Sequence, residues 1–262
     1  MMRPQMDLEL RDLRALVTGG SAGIGLATAE LLSGEGARVA IASRHPQEAA
    51  DRIGAVAVVA DLGTANGCDT AVSDAAGALG GLDILVNNVG TARVGEFEDA
   101  TDQRWQSAWD TNVMSYVRCV RAALPHLRKS GSASIVCVAS TSGKRPSAGM
   151  PEYSVTKAAV LSLSRLVADV YAEEGIRCNA VAPGPTLSPA WLDIGGLADQ
   201  TAADSDRSRE DVLAAVAAGR PLKRMAEPAE IAAVIAFLCS PRSSYVTGAA
   251  WGADGGTVPV II

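Results

Sequence analysis

Residues 18–25 read Thr18-Gly19-Gly20-Ser21-Ala22-Gly23-Ile24-Gly25. An apolar run at 14–17 precedes them, and a helical pattern over about 24–32 follows. The stretch is therefore a turn from a strand into a helix. Glycines let the backbone turn tightly and approach a pyrophosphate, while the helix start offers free N–H groups and a positive dipole end. A Gly-rich turn alone can be just a tight turn. In a strand–turn–helix setting it becomes a candidate dinucleotide site. Its candidate contacts are Thr18, Gly19, Ser21, Ala22, Gly23, Ile24 and Gly25.

Outward from this turn, apolar runs alternate with helical patterns. Strands are expected at 14–17, 38–42, 55–60, 83–86, 134–138, 177–182 and 249–252. Helices are expected at 24–32, 47–52, 64–79, 102–129, 154–174 and 228–239. Pro228 suits the first position of its helix, and Pro125 can break or kink the end of the 102–129 helix. The strands are continuous rather than alternating, as when both faces are covered. The expected architecture is α/β: a doubly wound parallel sheet of about seven strands, with helices on both faces. Residues 186–221 interrupt the rhythm with Gly195, Gly196 and a polar run at 199–211. Placed after a strand end, this insertion is expected to be a lid; a plain surface loop is the alternative.

The chain has 262 residues, and at ~150 residues per domain one α/β domain over 1–262 is plausible. Hydrophobic residues make up 48% and aromatics only 4%, so Ala, Val, Ile and Leu must build the core. Net charge is −6 and no basic cluster dominates, which argues against nucleic acid and anionic membranes as partners. No apolar run reaches the ~20 residues that span a bilayer. The opening MMRPQMDLEL carries acids where a signal peptide needs apolar residues, so a cytoplasmic location is expected. The five cysteines, Cys68, Cys119, Cys137, Cys178 and Cys239, are scattered and lack CxxC spacing. They read as buried hydrophobes, and no metal site is expected. His45 and His126 are far apart in sequence.

The second strand ends at Ser43-Arg44. An acid there would bind a ribose 2′-hydroxyl and repel a 2′-phosphate. Ser43 removes that anion and Arg44 adds a guanidinium, which favours NADP(H) over NAD(H), with NAD(H) still possible. Asp61-Leu62 ends the third strand and can cap an adenine pocket. Asn87-Asn88-Val89-Gly90 ends the fourth, where the switch-point crevice falls. Tyr153 and Lys157 are four residues apart at a helix start and share one face. A neighbouring ammonium stabilises a phenolate and lowers its pKa. Ser140 ends the fifth strand, and its hydroxyl can hold a carbonyl oxygen while Tyr153 protonates it.

These residues, in this order, resemble the short-chain dehydrogenase/reductase family. The likeness runs from Leu13 to about Gly256. It rests on 18–25, Asp61, 87–90, Asn112, Ser140, Tyr153, Lys157, Asn179, Pro183-Gly184 and Asp254-Gly255-Gly256. It implies a Rossmann-type fold and hydride transfer between a nicotinamide and a carbonyl or alcohol substrate. It implies Tyr153 as general acid and base, and Ser140 as the holder of the carbonyl. Lys157 would bind the nicotinamide ribose and depress the Tyr153 pKa, and Asn112 would hold a relay water. Asn88, Val89, Gly90, Pro183, Gly184, Thr186 and Ser188 would meet the cofactor. Two departures stand out: Val89 replaces the usual Ala, and Ser21-Ala22 lacks the basic residue of many NADP members. The overall pattern is similar to 3-oxoacyl-carrier-protein reductases, whose acidic carrier docks on basic residues. Arg128 and Lys129 offer such charge, but Glu173-Glu174 oppose it. A free small carbonyl or alcohol is therefore expected, held by Val94, Met150, Trp191 and Leu192 with Ser140 and Tyr153. Each pocket residue also suits plain core packing. The family's habit implies a homotetramer or homodimer. The stripe Ala158, Ser162, Leu166, Val170 suits such an interface but equally the chain's own sheet, and the apolar ending 258–262 suits burial against a partner. Enoyl reductases space Tyr and Lys more widely, and dehalogenases lose the Gly-rich turn. A non-catalytic dinucleotide-binding regulator is the alternative on this fold.

Overall fold

A computed structural model describes residues 7–205 and 207–259. Residues 1–6 of the opening and the last three residues of the apolar ending lie outside them. The first half contains β1 (Arg14–Thr18), α1 (Gly23–Gly34), β2 (Arg38–Ser43), α2 (Gln47–Ile53), β3 (Val56–Val59), α3 (Ala65–Leu79) and β4 (Ile84–Asn87). Then come α4 (Asp102–Trp109), a π-helical turn (Asp110–Met114), α5 (Ser115–Leu127), β5 (Ser134–Val138), α6 (Thr141–Lys144) and α7 (Pro151–Tyr171). The chain continues with β6 (Arg177–Pro183), α8 (Pro189–Leu192), α9 (Leu197–Ala203), α10 (Arg209–Ala218), α11 (Pro228–Cys239) and β7 (Ala250–Ala253).

The seven strands form one sheet in the order β3-β2-β1-β4-β5-β6-β7, and every pairing is parallel. The apolar runs of β1, β2, β4 and β5 face helices on both sides and are almost wholly buried. Their side chains divide between two cores. One holds Leu16, Leu85, Ile135 and Cys178 beneath α3, α5 and α7. The other holds Val17, Ile41, Val86 and Val136 beneath α1 and α11. Small residues dominate both, so helices approach closely without aromatic filler. The sheet order reverses between β1 and β4, which opens a crevice at their C-terminal ends.

Local chemistry fixes several ends. Thr64 accepts from Gly67 N as the N-cap of α3, and left-handed Gly80 closes it. Pro228 stands at the first position of α11 behind a Glu227–Glu230 capping box. Arg14 clamps Asp83 through its Nε at 2.8 Å, which ties the start of β1 to the loop entering β4.

Three of the expected elements take a more definite form. The single helix expected over 102–129 is two helices joined by the π-helical turn, because an extra residue is inserted around Asn112. Pro125 does not break α5, which runs on to Leu127; at the end of a helix the missing N–H removes only one bond. The segment 186–221, for which a plain surface loop was the alternative, carries three helices, α8, α9 and α10. Ser208 caps α10 by accepting from Asp211 N. No described helix is long and apolar enough to cross a membrane.

Candidate active site

The Gly-rich turn is shaped by its own crowding. Gly25 packs so closely that a Cβ there would lie 2.3 Å from Gly19 O. Gly19 itself takes a φ of +64°, and a Cβ on it would press on Asn88 and Val89. Thr18 joins this turn to the end of β4: its Oγ1 donates to Val86 O and accepts from Asn88 N at 2.9 Å and Val89 N at 3.2 Å. Asn88 donates back to Thr18 O and Gly19 O. Ala22, the N-cap of α1, supplies no side-chain cap. The amides of the first turn of α1 thus face the crevice without a side-chain acceptor.

A cavity of about 360 Å³ opens there. One wall is the Gly-rich turn with Asn88, Val89 and Gly90. The floor carries Ser140, Tyr153 and Lys157. The far wall runs from Pro183 and Gly184 through Thr186 and Ser188 to Trp191 and Leu197. Gly184 allows the turn after β7 to pack on that wall, since a Cβ would lie 3.0 Å from Asp254 Cα. Asp254 holds this turn by accepting from Gly256 N.

Ser140, two residues beyond β5, caps α6, accepting from Ser142 N at 3.1 Å. It shares the cavity floor with the Tyr153 phenol and pulls the phenol's pKa down. Tyr153 lies in the first turn of α7, which begins at Pro151, three residues earlier than the pattern indicates. Lys157 is one turn further on and only 3% exposed. Its Nζ donates to Val138 O at 2.8 Å and stands 5.7 Å from the centre of the Tyr153 ring. Burial pulls its pKa from 10.5 to about 8. The same desolvation raises the Tyr153 phenol above its ordinary value, against the pull of Ser140. Burial thus sets the direction at Tyr153, and the Lys157 ammonium donates to a carbonyl of the floor.

Asn112 sits in the π-helical turn, fully buried. Its Oδ1 accepts from Thr91 N at 2.8 Å, and its Nδ2 donates to Thr91 O and Thr156 Oγ1. The side chain thus ties the loop after β4 to α7.

A family model described as enoyl-(acyl carrier protein) reductase matches residues 19–258. The chain belongs to the short-chain dehydrogenase/reductase family. An uncharacterized oxidoreductase of Bacillus subtilis, YvrD, is 35% identical over 97% of this chain and 99% of its own. The 3-oxoacyl-[acyl-carrier-protein] reductase FabG of Staphylococcus aureus is 33% identical over 92% of this chain and 96% of its own. The L-sorbose reductase of Gluconobacter frateurii, solved with NADPH and L-sorbose, has a TM-score of 0.90 at 34% identity, covering 98% of this chain and 100% of that one. Like these relatives, this short-chain dehydrogenase/reductase is an oxidoreductase acting between CH–OH and C=O.

Other sites named from the sequence fall differently. Ser21 stands in the turn but outside the cavity lining. Ser43 ends β2 and accepts from His45 N, and Arg44 beside it is exposed. Among the described residues Arg44 makes no ion pair. Asp61 is exposed and accepts from Gly63 N, whereas Leu62 places its side chain in the core under α3. Val94 and Leu192 do not line the cavity. Val94 is held by its backbone, its N donating to Gln200 Oε1 at 2.9 Å. Leu192 ends α8 facing solvent, because the short helix turns Trp191 inward instead. Met150 does line the cavity, and Thr91, Ala92, Ser142 and Leu197 join it without any sequence signal. Arg128, a candidate docking charge, pairs with Glu174 at 2.6 Å. Its neighbour Lys129 lines a hollow with Arg14 and Gly80, at the end of the sheet opposite the crevice. In one chain, these charges do not frame the site.

Proposed function

We propose that the protein interconverts a free small carbonyl compound and its alcohol with NADP(H), using Tyr153 as acid and base. The observation that carries this is the meeting of Ser140, Tyr153 and Lys157 on one cavity floor beside the uncapped start of α1. The glycine-lined wall fits a dinucleotide: a pyrophosphate suits the first-turn amides of α1, and Gly90 leaves room near Lys157, where a Cβ would come within 3.4 Å of Nζ. When bound, the nicotinamide supplies or accepts the hydride.

The chain's own residues do the rest. Ser140 holds the substrate oxygen by donating its hydroxyl proton. Tyr153 gives its phenolic proton to that oxygen in reduction and takes it back in oxidation. Lys157, still mostly protonated at neutral pH with a pKa of about 8, supplies positive charge next to the forming phenolate. Asn112 keeps the loop at Thr91 and the start of α7 in register. Arg44, exposed and unpaired among the described residues, meets the 2′-phosphate, with Ser43 offering no opposing charge. Asp61, exposed beyond the end of β3, caps the adenine in this reading. The segment 186–221 acts as a lid, with Trp191 and Leu197 closing on the substrate together with Met150. One domain assembled as a homotetramer, or a homodimer, and working in the cytoplasm completes the reading. The Arg128–Glu174 pair supports a free substrate rather than a carrier-bound one.

The test is consumption of NADPH, and separately of NADH, against ketones, diketones, sugars, quinones and 3-oxoacyl thioesters. Turnover of one free carbonyl class with NADPH preferred is the expected result. Preference for carrier-bound thioesters, or cofactor binding without turnover on any class, contradicts it; the second outcome returns to the non-catalytic alternative.

A further inference from the structure

Beneath Lys157 lies a second tyrosine that the proposed chemistry does not use. Tyr116, on the first turn of α5, is completely buried. Its phenol donates to Val138 O at 3.0 Å. The same carbonyl accepts from Lys157 Nζ at 2.8 Å, and Nζ lies 3.4 Å from the Tyr116 oxygen. Nζ also stands 5.4 Å from the centre of the Tyr116 ring. Val138 ends β5 one residue before the turn to Ser140, so this carbonyl belongs to the floor of the site.

We propose that Tyr116 is a positioning residue for Lys157: with Val138 O it forms a seat that holds the ammonium under Gly90 and beside Tyr153. The phenol fixes the carbonyl by donating to it. Its lone pairs accept from Nζ, and its ring face attracts the cation. All three favour the charged lysine at a depth where burial opposes charge. The titratable groups facing Nζ are few: Tyr116 on α5, Cys137 on β5 and Tyr153 on the same helix. No carboxylate is among them, so the seat is the main local source of stabilisation for the ammonium. This inference rests on the catalytic reading of Tyr153 and Lys157, but the seat itself is open to a direct test.

The test is Tyr116→Phe, which keeps the ring and removes the hydroxyl. The chain has four lysines, Lys129, Lys144, Lys157 and Lys223, so the titration of Lys157 is readily assigned in protein carrying ¹³C-lysine, with Lys157→Met as reference. In the cofactor-free protein, the Lys157 midpoint is expected to fall by about half a unit or more in Tyr116→Phe. In turnover, kcat is expected to fall several-fold with KM for the carbonyl nearly unchanged, and the alkaline limb of the pH profile to move down with the lysine. An unmoved lysine midpoint and an unmoved alkaline limb, with only a lower melting temperature, overturn the proposal and leave Tyr116 a packing residue. Tyr153→Phe is run alongside. If it keeps turnover the catalytic reading fails, whereas the lysine midpoint still decides the seat.

Discussion

Single side chains in this protein answer to burial before they answer to charge. Lys157 shows this best. Its pKa lies at about 8 when folded and at 10.5 in an ordinary setting. Between these values the unfolded chain keeps a proton that the folded chain has released, so stability rises with pH through that window. At neutral pH the buried ammonium lowers stability by roughly 3 kcal/mol relative to an unburied one. Urea unfolding of the wild type and Lys157→Met across this window checks it. The wild type is expected to gain on the variant as pH rises from about 8; a constant difference contradicts the shift. At the other end of the crevice, Arg44→Ala is expected to weaken NADPH binding about tenfold or more, about 1.4 kcal/mol, and NADH binding far less. Equal losses in a titration of both cofactors remove Arg44 from the 2′-phosphate. Much of this scale was legible in the sequence, because spacing alone puts Tyr153 and Lys157 on one face and Ser140 at a strand end. What was not legible depends on distant neighbours. The direction of the Tyr153 shift needs the depth of the cavity, and Tyr116 carries no motif.

Elements matter here through the places where they are pinned together. α4 meets α7 through a buried pair, Arg104 Nε to Glu152 Oε1, with side chains 15% and 3% exposed. Arg104 also donates to the carbonyls of Arg93 and Val94 at 3.3 Å. Glu152 directly precedes Tyr153, and its Oε2 is buried without a partner. Removing Arg104 alone strands a carboxylate in the interior, and such losses reach about 3 kcal/mol or more. Arg104→Met is therefore expected to lower the unfolding free energy by about that amount, and Arg104→Met with Glu152→Met to recover most of it. Additive losses in the double variant contradict a coupled pair. The strands and most helices could be read from apolar runs and helical periodicity, with β4 and α7 displaced by one and three residues. The π-helical turn could not, since one inserted residue leaves the pattern of 102–129 intact. Val94 and Leu192 fall outside the cavity lining for a related reason: nearness in sequence to the crevice does not say which way a loop residue turns.

The whole molecule presents apolar surface that one copy does not cover. Along α7, Ala158, Ser162, Leu166 and Val170 all face outward, with Leu166 58% and Val170 55% exposed. The edge strand β7 adds Trp251, packed at a tilt on Phe237 with ring centres 5.6 Å apart. Two separate faces of this kind suit a homotetramer. Sedimentation is expected to give four times the protomer mass, and Leu166→Glu a smaller species; a monomer in the wild type contradicts the assembly. Whether α7 faced its own sheet or a partner was undecided in the sequence, since a small-residue stripe fits both. All of these scales meet in one claim, that Tyr153 moves the proton on the substrate oxygen. The most direct measurement is turnover of Tyr153→Phe with NADPH and the best carbonyl found for the wild type, with NADPH binding measured on the same sample. The account predicts unchanged binding and a loss of kcat of about a hundredfold or more. Substantial retained turnover with binding intact would contradict it.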